Sequence, residues 1–187
     1  ALLASYTLIS AGYEMICKNA KVLSKHLKDK DMANRACMIA MDEITTNAKK
    51  ATTGQYFDLF PSEKTDKMIL KVIHQKTETL FEIAFVLGWI FGGGDLSLLE
   101  DVKQAARSFG KAFQIADDIG DIHQDDANES GINIVTNLGL DKAIELFNNE
   151  ITNLKIKLDS LKIKTPSFLC LIDLLEKTIK QYKKQEA

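Results

Sequence analysis

Asp117, Asp118 and Asp121 fall within about one helical turn of an otherwise apolar segment, FQIADDIGDIHQDD, Phe113 to Asp126. Like charges at this spacing weaken a helix by roughly 0.2–0.5 kcal/mol per pair, and burying carboxylates costs far more unless a cation meets them. At about 100° per residue, Asp117 and Asp121 project within about 40° of each other. Gln114 lies close to the same line and Asp118 sits off to one side. Two carboxylates and an amide on one stripe suit a hard divalent cation such as Mg²⁺, which keeps several waters and bridges to substrate phosphates. A calcium loop does not fit, because the cluster is mid-helix and lacks the EF-hand spacing and glycine. Alone, D-D-x-x-D is a weak signal and a solvated acidic face competes with it. The flanking Phe113, Ile115, Ala116 and Ile119 favour the cation.

Two further segments carry polar groups at places where chemistry could occur. In HQKTETLFEIAFVLGW, Lys76 and Thr77 precede an apolar helix in which Leu80, Phe81, Ala84 and Gly88 make one buried stripe. A cation and a hydroxyl at one point of an apolar helix suit phosphate, with the lysine as a point charge. A surface lysine beside a capping threonine is the plainer alternative. GQYFDL, with Gln55 and Asp58, reads by itself only as a loop before a helix break.

The elements that must position these residues are helical. Only Pro61 and Pro166 interrupt the chain, and no stretch alternates polar and apolar residues long enough for a strand. The periodicity predicts a first helix over 2–27, a charged turn KDKD, a second over 32–53 and a break around Pro61. A third, capped by Asp66, runs to Phe91 and stops at GGGD. A fourth starts at Asp95 or Ser97 and carries the aspartates to about Gln124. DDANESGINIVTNLG reads as a loop, and amphipathic helices follow near 140–161 and 166–182. The fold class is all-α, one domain over 1–187, with no internal repeat.

Composition sets outer bounds. The 187 residues are 45% hydrophobic and 27% charged, ordinary for a globular protein. A net charge of −2 gives no general attraction to nucleic acid. Cys17, Cys37 and Cys170 are far apart and lack metal-ligand spacing; reduced core thiols suit a reducing compartment such as the cytoplasm. The longest apolar run, Leu80 to Gly94, contains Glu82 and is too short to span a bilayer. His74 and His123 read as polar helix residues rather than catalysts, and Trp89 and Phe91 as core. Asp125 and Asp126 read as solvent-facing and KKQEA as a solvated tail.

Together the three segments resemble the trans-isoprenyl diphosphate synthases, the farnesyl and geranylgeranyl diphosphate synthases. The matching pattern is G-Q-x-x-D-L (Gln55, Asp58), then K-T-x-x-L-F (Lys76, Thr77, Leu80, Phe81), then G-x-x-F-Q-I-x-D-D-x-x-D (Gly110, Phe113, Gln114, Ile115, Asp117, Asp118, Asp121). The order and separations agree over Gln55 to Asp121, and NIVTNLGLDKAIELF looks like the helix entry that follows. The resemblance implies a helical bundle of the terpenoid synthase type and Mg²⁺-dependent condensation of an allylic diphosphate with isopentenyl diphosphate. It places Mg²⁺ on Asp117 and Asp121, with Asp118 assisting through the water shell. Lys76, Thr77 and Gln114 contact the allylic diphosphate, with Gln55 and Phe113 beside it, and Lys76, Asp117 and Asp121 carry the catalysis. A homodimer is implied by the family.

The sequence also departs from that pattern. The first aspartate-rich motif and its arginine pair are absent, as are the basic residues that hold isopentenyl diphosphate. ALLASYTLISAGYEMI resembles the helix after those elements, with Ser5-Tyr6 where Gly-Asp is usual. The expectation is a chain that begins partway through a longer protein, with an N-terminal portion of order a hundred residues ahead of it. No lysine follows the acidic motif in IHQDDANESGINIVTN. A non-catalytic subunit that modulates an active partner, and a terpene cyclase on the same fold, remain as alternatives.

Overall fold

The structure is a computed structural model describing residues 2–26, 30–63, 65–122 and 132–185, without the side chains of Lys30 and 183–185. Helical periodicity becomes helix, and no strand occurs among the described residues. The expectations for Lys28, Asp29, His123, Gln124, Asp125, Asp126 and the tail side chains fall outside them.

Helix α1 (Leu2–His26) packs on α2 (Lys30–Leu59), which in turn packs on the long rod that follows. Ala33, Ala36 and Ala40 form the buried face of α2 and let its neighbours approach closely. Helix α2 runs six residues beyond the expected Thr53, so GQYFDL is its last turns and not a loop. Gly54 weakens a helix by about 1 kcal/mol but does not end it. Pro61 does, because its ring disfavours helical backbone at the residue before it.

Next come α3 (Asp66–Ile73), a π turn (His74–Glu78) and α4 (Thr79–Phe91), three segments of one rod. Its N-cap is Thr65, whose hydroxyl accepts from the Met68 N–H at 3.3 Å; Asp66, expected to cap, is the first helical residue. Gly93, with φ at 81°, makes the turn that ends the rod. Trp89 and Phe91 pack against the core, and Trp89 Nε1 donates to the Asp95 carbonyl at 2.8 Å.

Asp95 caps a short 3₁₀ turn, Leu96–Leu98, and α5 (Leu99–Gly120) follows. Helix α5 is the central element, packed against α4, the π turn, and the two long helices after it. Its Ala105, Phe109, Ala112, Ile115 and Ile119 are buried. The helix ends at Gly120, so Asp121 is its C-cap rather than an interior residue. Part of the expected loop is also helical: Asn133 caps α6 (Ile134–Leu138), accepting from the N–H groups of Val135 and Thr136. Helices α7 (Leu140–Ser160) and α8 (Pro166–Gln185) complete the bundle. Ala143, Phe147, Ile151, Leu154 and Leu158 of α7 recur at helical spacing on its buried face.

The surface corrects one expectation. Cys17 and Cys170 are exposed and Cys37 half-buried, so the thiols are free but not core. Helix α1 buries only Ile16 and leaves Leu2, Leu3, Tyr6, Leu8 and Ile9 exposed. No helix among the described residues is long and apolar enough to cross a membrane.

Phe147 is 2% exposed and belongs to the central cluster. Phe147→Ala is expected to lower the unfolding free energy by about 3–5 kcal/mol in urea titrations, the usual cost of deleting a buried ring. A loss below about 1 kcal/mol would show that α7 is not part of the cooperative core.

Candidate active site

The site is assembled by three helical elements, each bringing one of the polar segments. The end of α2 brings Gln55 and Asp58, the π turn brings Lys76 and Thr77, and the second half of α5 brings Phe113, Gln114 and the aspartates. Gln55, Lys76, Thr77, Phe113 and Gln114 line one groove of about 420 Å³ together with Leu80, Phe81 and Ala84. One end of it is polar, with an ammonium, a hydroxyl and two amides. The rest is apolar, and the Phe113 ring packs on Phe81 at 5.3 Å between centroids.

The helix stripe expected to be buried is instead open along this groove. Leu80 is 52% exposed, and Ala84 and Gly88 are exposed below it; only Phe81 is half-buried. The bundle covers the opposite face of α4, where Glu82, Val86 and Ile90 are buried. A second apolar groove of about 310 Å³, lined among others by Phe85, Trp89 and Phe168, meets the first at Ala84.

Beneath the polar end lie two buried carboxylates. Asp58, which the sequence offered only as part of a motif, accepts from Lys76 Nζ at 2.6 Å and from the Ile132 N–H at 3.1 Å. Asp118 accepts from Gln114 Nε2 at 2.6 Å and from the Ile134 N–H at 2.7 Å. Gln114 Oε1 in turn accepts from the Thr77 hydroxyl at 2.6 Å. Thr77, Gln114 and Asp118 therefore form one buried chain of hydrogen bonds across two helices. Burial pushes the Asp118 carboxyl up to about 6, against the pull of the Ile134 and Gln114 hydrogen bonds and the Lys76 charge; the charge of Asp117 adds to the rise.

The acidic triplet is thus divided. Asp117 is exposed and Asp121 half-buried, with the Asp121 N–H bonded to the Asp117 carbonyl at 3.0 Å. Asp118 is 5% exposed, and both of its oxygens are engaged by protein donors. No group of three His, Cys, Asp or Glu side chains converges as a ready-made metal cage among the described residues. Asp117 and Asp121 fit a cation that takes one or two carboxylates and completes its shell with water and phosphate. Asp118 is set back from Asp117 and Asp121 by those two hydrogen bonds.

His74, half-buried in the π turn, pairs with Glu78 at 2.8 Å, the ordinary polar role expected of it. The polar layer behind the site was missed by sequence reading. Lys103, Arg107 and Lys111 recur every fourth residue of α5 and meet the buried Glu43, Glu82 and Glu78, at 2.6, 2.7 and 3.9 Å. Lys111 also meets Glu150 at 2.9 Å; burial lowers its pKa, and Glu150 and Glu78 outweigh that, so the net shift is upward. The four-residue spacing was the available signal.

The fold is that of the isoprenoid synthases. A geranyltranstransferase from Thermotoga maritima superposes with a TM-score of 0.60 at 23% identity, over 79% of this chain and 53% of that one. The family model for polyprenyl synthetase matches residues 1–151, and the chain belongs to that family. Among relatives, a trans-prenyltransferase of African swine fever virus is 27% identical over 65% of this chain and 34% of its own length. A short chain isoprenyl diphosphate synthase of Methanothermobacter thermautotrophicus is 29% identical over 67% of this chain and 36% of its own. A geranylgeranyl pyrophosphate synthase 4 of Arabidopsis thaliana is 34% identical over 52% and 28%. The chain spans about a third of the length of these curated relatives.

The Asp118 carboxyl has a definite signature. Its pKa in the fold, about 6, lies above the ordinary 3.8, so the fold favours the protonated form. Its contribution is complete below pH 4 and is lost as pH rises through 6, by up to about 3 kcal/mol. Urea unfolding with EDTA present should show wild type losing stability over that interval relative to Asp118→Asn. Parallel pH profiles for the two proteins would contradict this.

Proposed function

We propose that the protein is a trans-prenyltransferase that condenses an allylic diphosphate with isopentenyl diphosphate into a longer prenyl diphosphate. The observation that carries this reading is the groove itself, a cation, a hydroxyl and an amide at one end of an open apolar stripe. That polarity matches a substrate with a diphosphate head and a hydrocarbon tail. The family of the chain and the names of its relatives support the same substrate class.

In this reading Lys76, Thr77 and Gln114 bind the allylic diphosphate, and Gln55 lies at the same end. The allylic C–O bond breaks with its electron pair leaving on the diphosphate. The double bond of isopentenyl diphosphate supplies the electrons of the new C–C bond, and a proton is lost to restore the alkene. Lys76 stabilises the charge that grows on the leaving diphosphate, where a preorganised donor is worth most. Apolar walls line the path of the hydrocarbon tail, and the Phe113 and Phe81 rings offer π density to the allylic cation. Asp117 and Asp121 would hold Mg²⁺, which supplies further charge neutralisation for the departing diphosphate. Asp118 acts as a positioning residue for Gln114, and Asp58 for Lys76. A homodimer belongs to this proposal, and the exposed apolar residues of α1 are surface available for it.

The test uses the complete gene product with isopentenyl diphosphate, allylic diphosphates of several lengths and Mg²⁺, with products read by mass spectrometry. Prenyl diphosphates that disappear with EDTA are expected. Asp117→Ala and Lys76→Ala should each lower turnover by about two orders of magnitude or more while helical circular dichroism is kept. Wild-type rates in both variants would overturn the assignment. A folded protein without condensation that binds an active synthase would identify a regulatory subunit instead.

A further inference from the structure

Two glycines occupy positions where a helix ordinarily carries a side chain. Gly54 lies within α2 and Gly110 within α5, and neither has the positive φ that would call for glycine. Each therefore costs about 0.5–1 kcal/mol relative to alanine in the same helix. The return is close approach to one place. A Cβ on Gly54 would collide with the backbone of the π turn, meeting Lys76 N, Gln75 C at 2.7 Å and Gln75 Cβ at 2.8 Å. A Cβ on Gly110 would stand 2.9 Å from Glu78 Cα and 3.0 Å from the Phe81 ring. Helices α2 and α5 thus both press bare backbone against the same five residues.

A π turn is a helix widened by one residue, and such turns concentrate at functional sites. Here the Thr79 N–H reaches back to the His74 carbonyl, five residues away, and the widened backbone fills the space that a Cβ would need. Between the two glycine contacts lie Lys76 and Thr77, whose side chains meet Asp58 and Gln114. The His74–Glu78 pair spans the turn, and Lys111 stands 3.9 Å from Glu78.

We infer that Gly54 and Gly110 are positioning residues: they seat the π turn His74–Glu78 between α2 and α5 and so set where Lys76 and Thr77 stand at the polar end of the groove. For its effect on turnover this rests on the proposed prenyl transfer. Deleting Gln75 removes the extra residue, returns the segment to α-helix and redistributes Lys76 and Thr77 about the axis.

The experiment uses the complete gene product carrying Gly54→Ala, Gly110→Ala, the Gln75 deletion, and Gly54→Ala combined with the deletion. Three quantities are read: calorimetric binding of inorganic diphosphate with Mg²⁺, turnover, and urea stability. Each alanine variant should lose about tenfold or more in diphosphate affinity and in kcat, as expected for small displacements of a binding group. Gly54→Ala should destabilise the parent and stabilise the deletion variant, because removing the widened turn makes room for the methyl. That reversal of sign would not accompany a clash elsewhere. The deletion variants should fold without binding diphosphate. Gly110→Ala meets the milder clash, 2.9 Å from Glu78 Cα against 2.7 Å from Gln75 C for Gly54, and decides the matter if the others fail to fold. Wild-type affinity and kcat in the alanine variants would overturn the inference alone. A wild-type protein that neither binds diphosphate nor turns over would overturn the prenyl-transfer reading with it.

Discussion

Two buried carboxylates hold the candidate site together, and each does so by joining a backbone N–H to a side chain that faces the groove. Asp58 links Ile132 to Lys76, and Asp118 links Ile134 to Gln114. An unpaired carboxylate at these depths would be several kcal/mol unfavourable. The segment 132–134 must therefore stay where its N–H groups can reach, and the groove side chains must stay where they can donate. The C-terminal helices and the polar end of the groove are thus fixed by the same two residues. Asn133 strengthens the link, since its Nδ2 donates to the Asp118 carbonyl at 3.0 Å.

The same principle sets the register of α5. Glu43 and Glu82 lie within the bundle at 4% and 2% exposure, on faces of α2 and α4 that pack inward. Each needs a cation, and α5 supplies Lys103 and Arg107 four residues apart. Asn47 closes the layer by donating to Glu43 at 2.5 Å. Buried pairs of this kind add little net stability compared with apolar packing, but breaking one partner leaves a charge stranded. Sliding α5 by one residue would strand several together. The register that satisfies them also puts Gly110 against the π turn and Gln114 against Thr77.

The all-α class and most helix boundaries were legible because alternation was absent and the 3.6-residue period persisted. Spacing alone also separated Asp118 from the stripe shared by Asp117 and Asp121, and Asp118 does turn inward. Its bond to the Ile134 N–H could not be read, because Ile134 lies sixteen residues away. The π turn was invisible for a different reason: α3 has only 8 residues, too few for a one-residue offset in the apolar pattern to be read. GQYFDL looked like a loop because Gly54 is a breaker by propensity, whereas here it is a contact requirement set by another helix. The stripe Leu80–Ala84–Gly88 had the right period and the wrong inference, since periodicity identifies an apolar face without saying what covers it.

Lys76 shows how these constraints bear on the proposed chemistry. Its ammonium rests 2.6 Å from Asp58, so a diphosphate arriving in the proposed reaction would meet a cation already in an ion pair. A fully isolated lysine would attract an anion more strongly, but it would be costly to hold beside an apolar wall and free to sample many rotamers. The Ile132 N–H bonds to the other Asp58 oxygen, which fixes the carboxylate and with it the lysine it holds. The two remaining ammonium protons can then turn to a ligand without the first bond being broken, since a lysine has three donors. Pairing with Asp58 therefore sacrifices some ground-state attraction in exchange for a defined position. For a diphosphate that gains charge as it departs, position is the larger effect, because a fixed donor strengthens with the charge it faces.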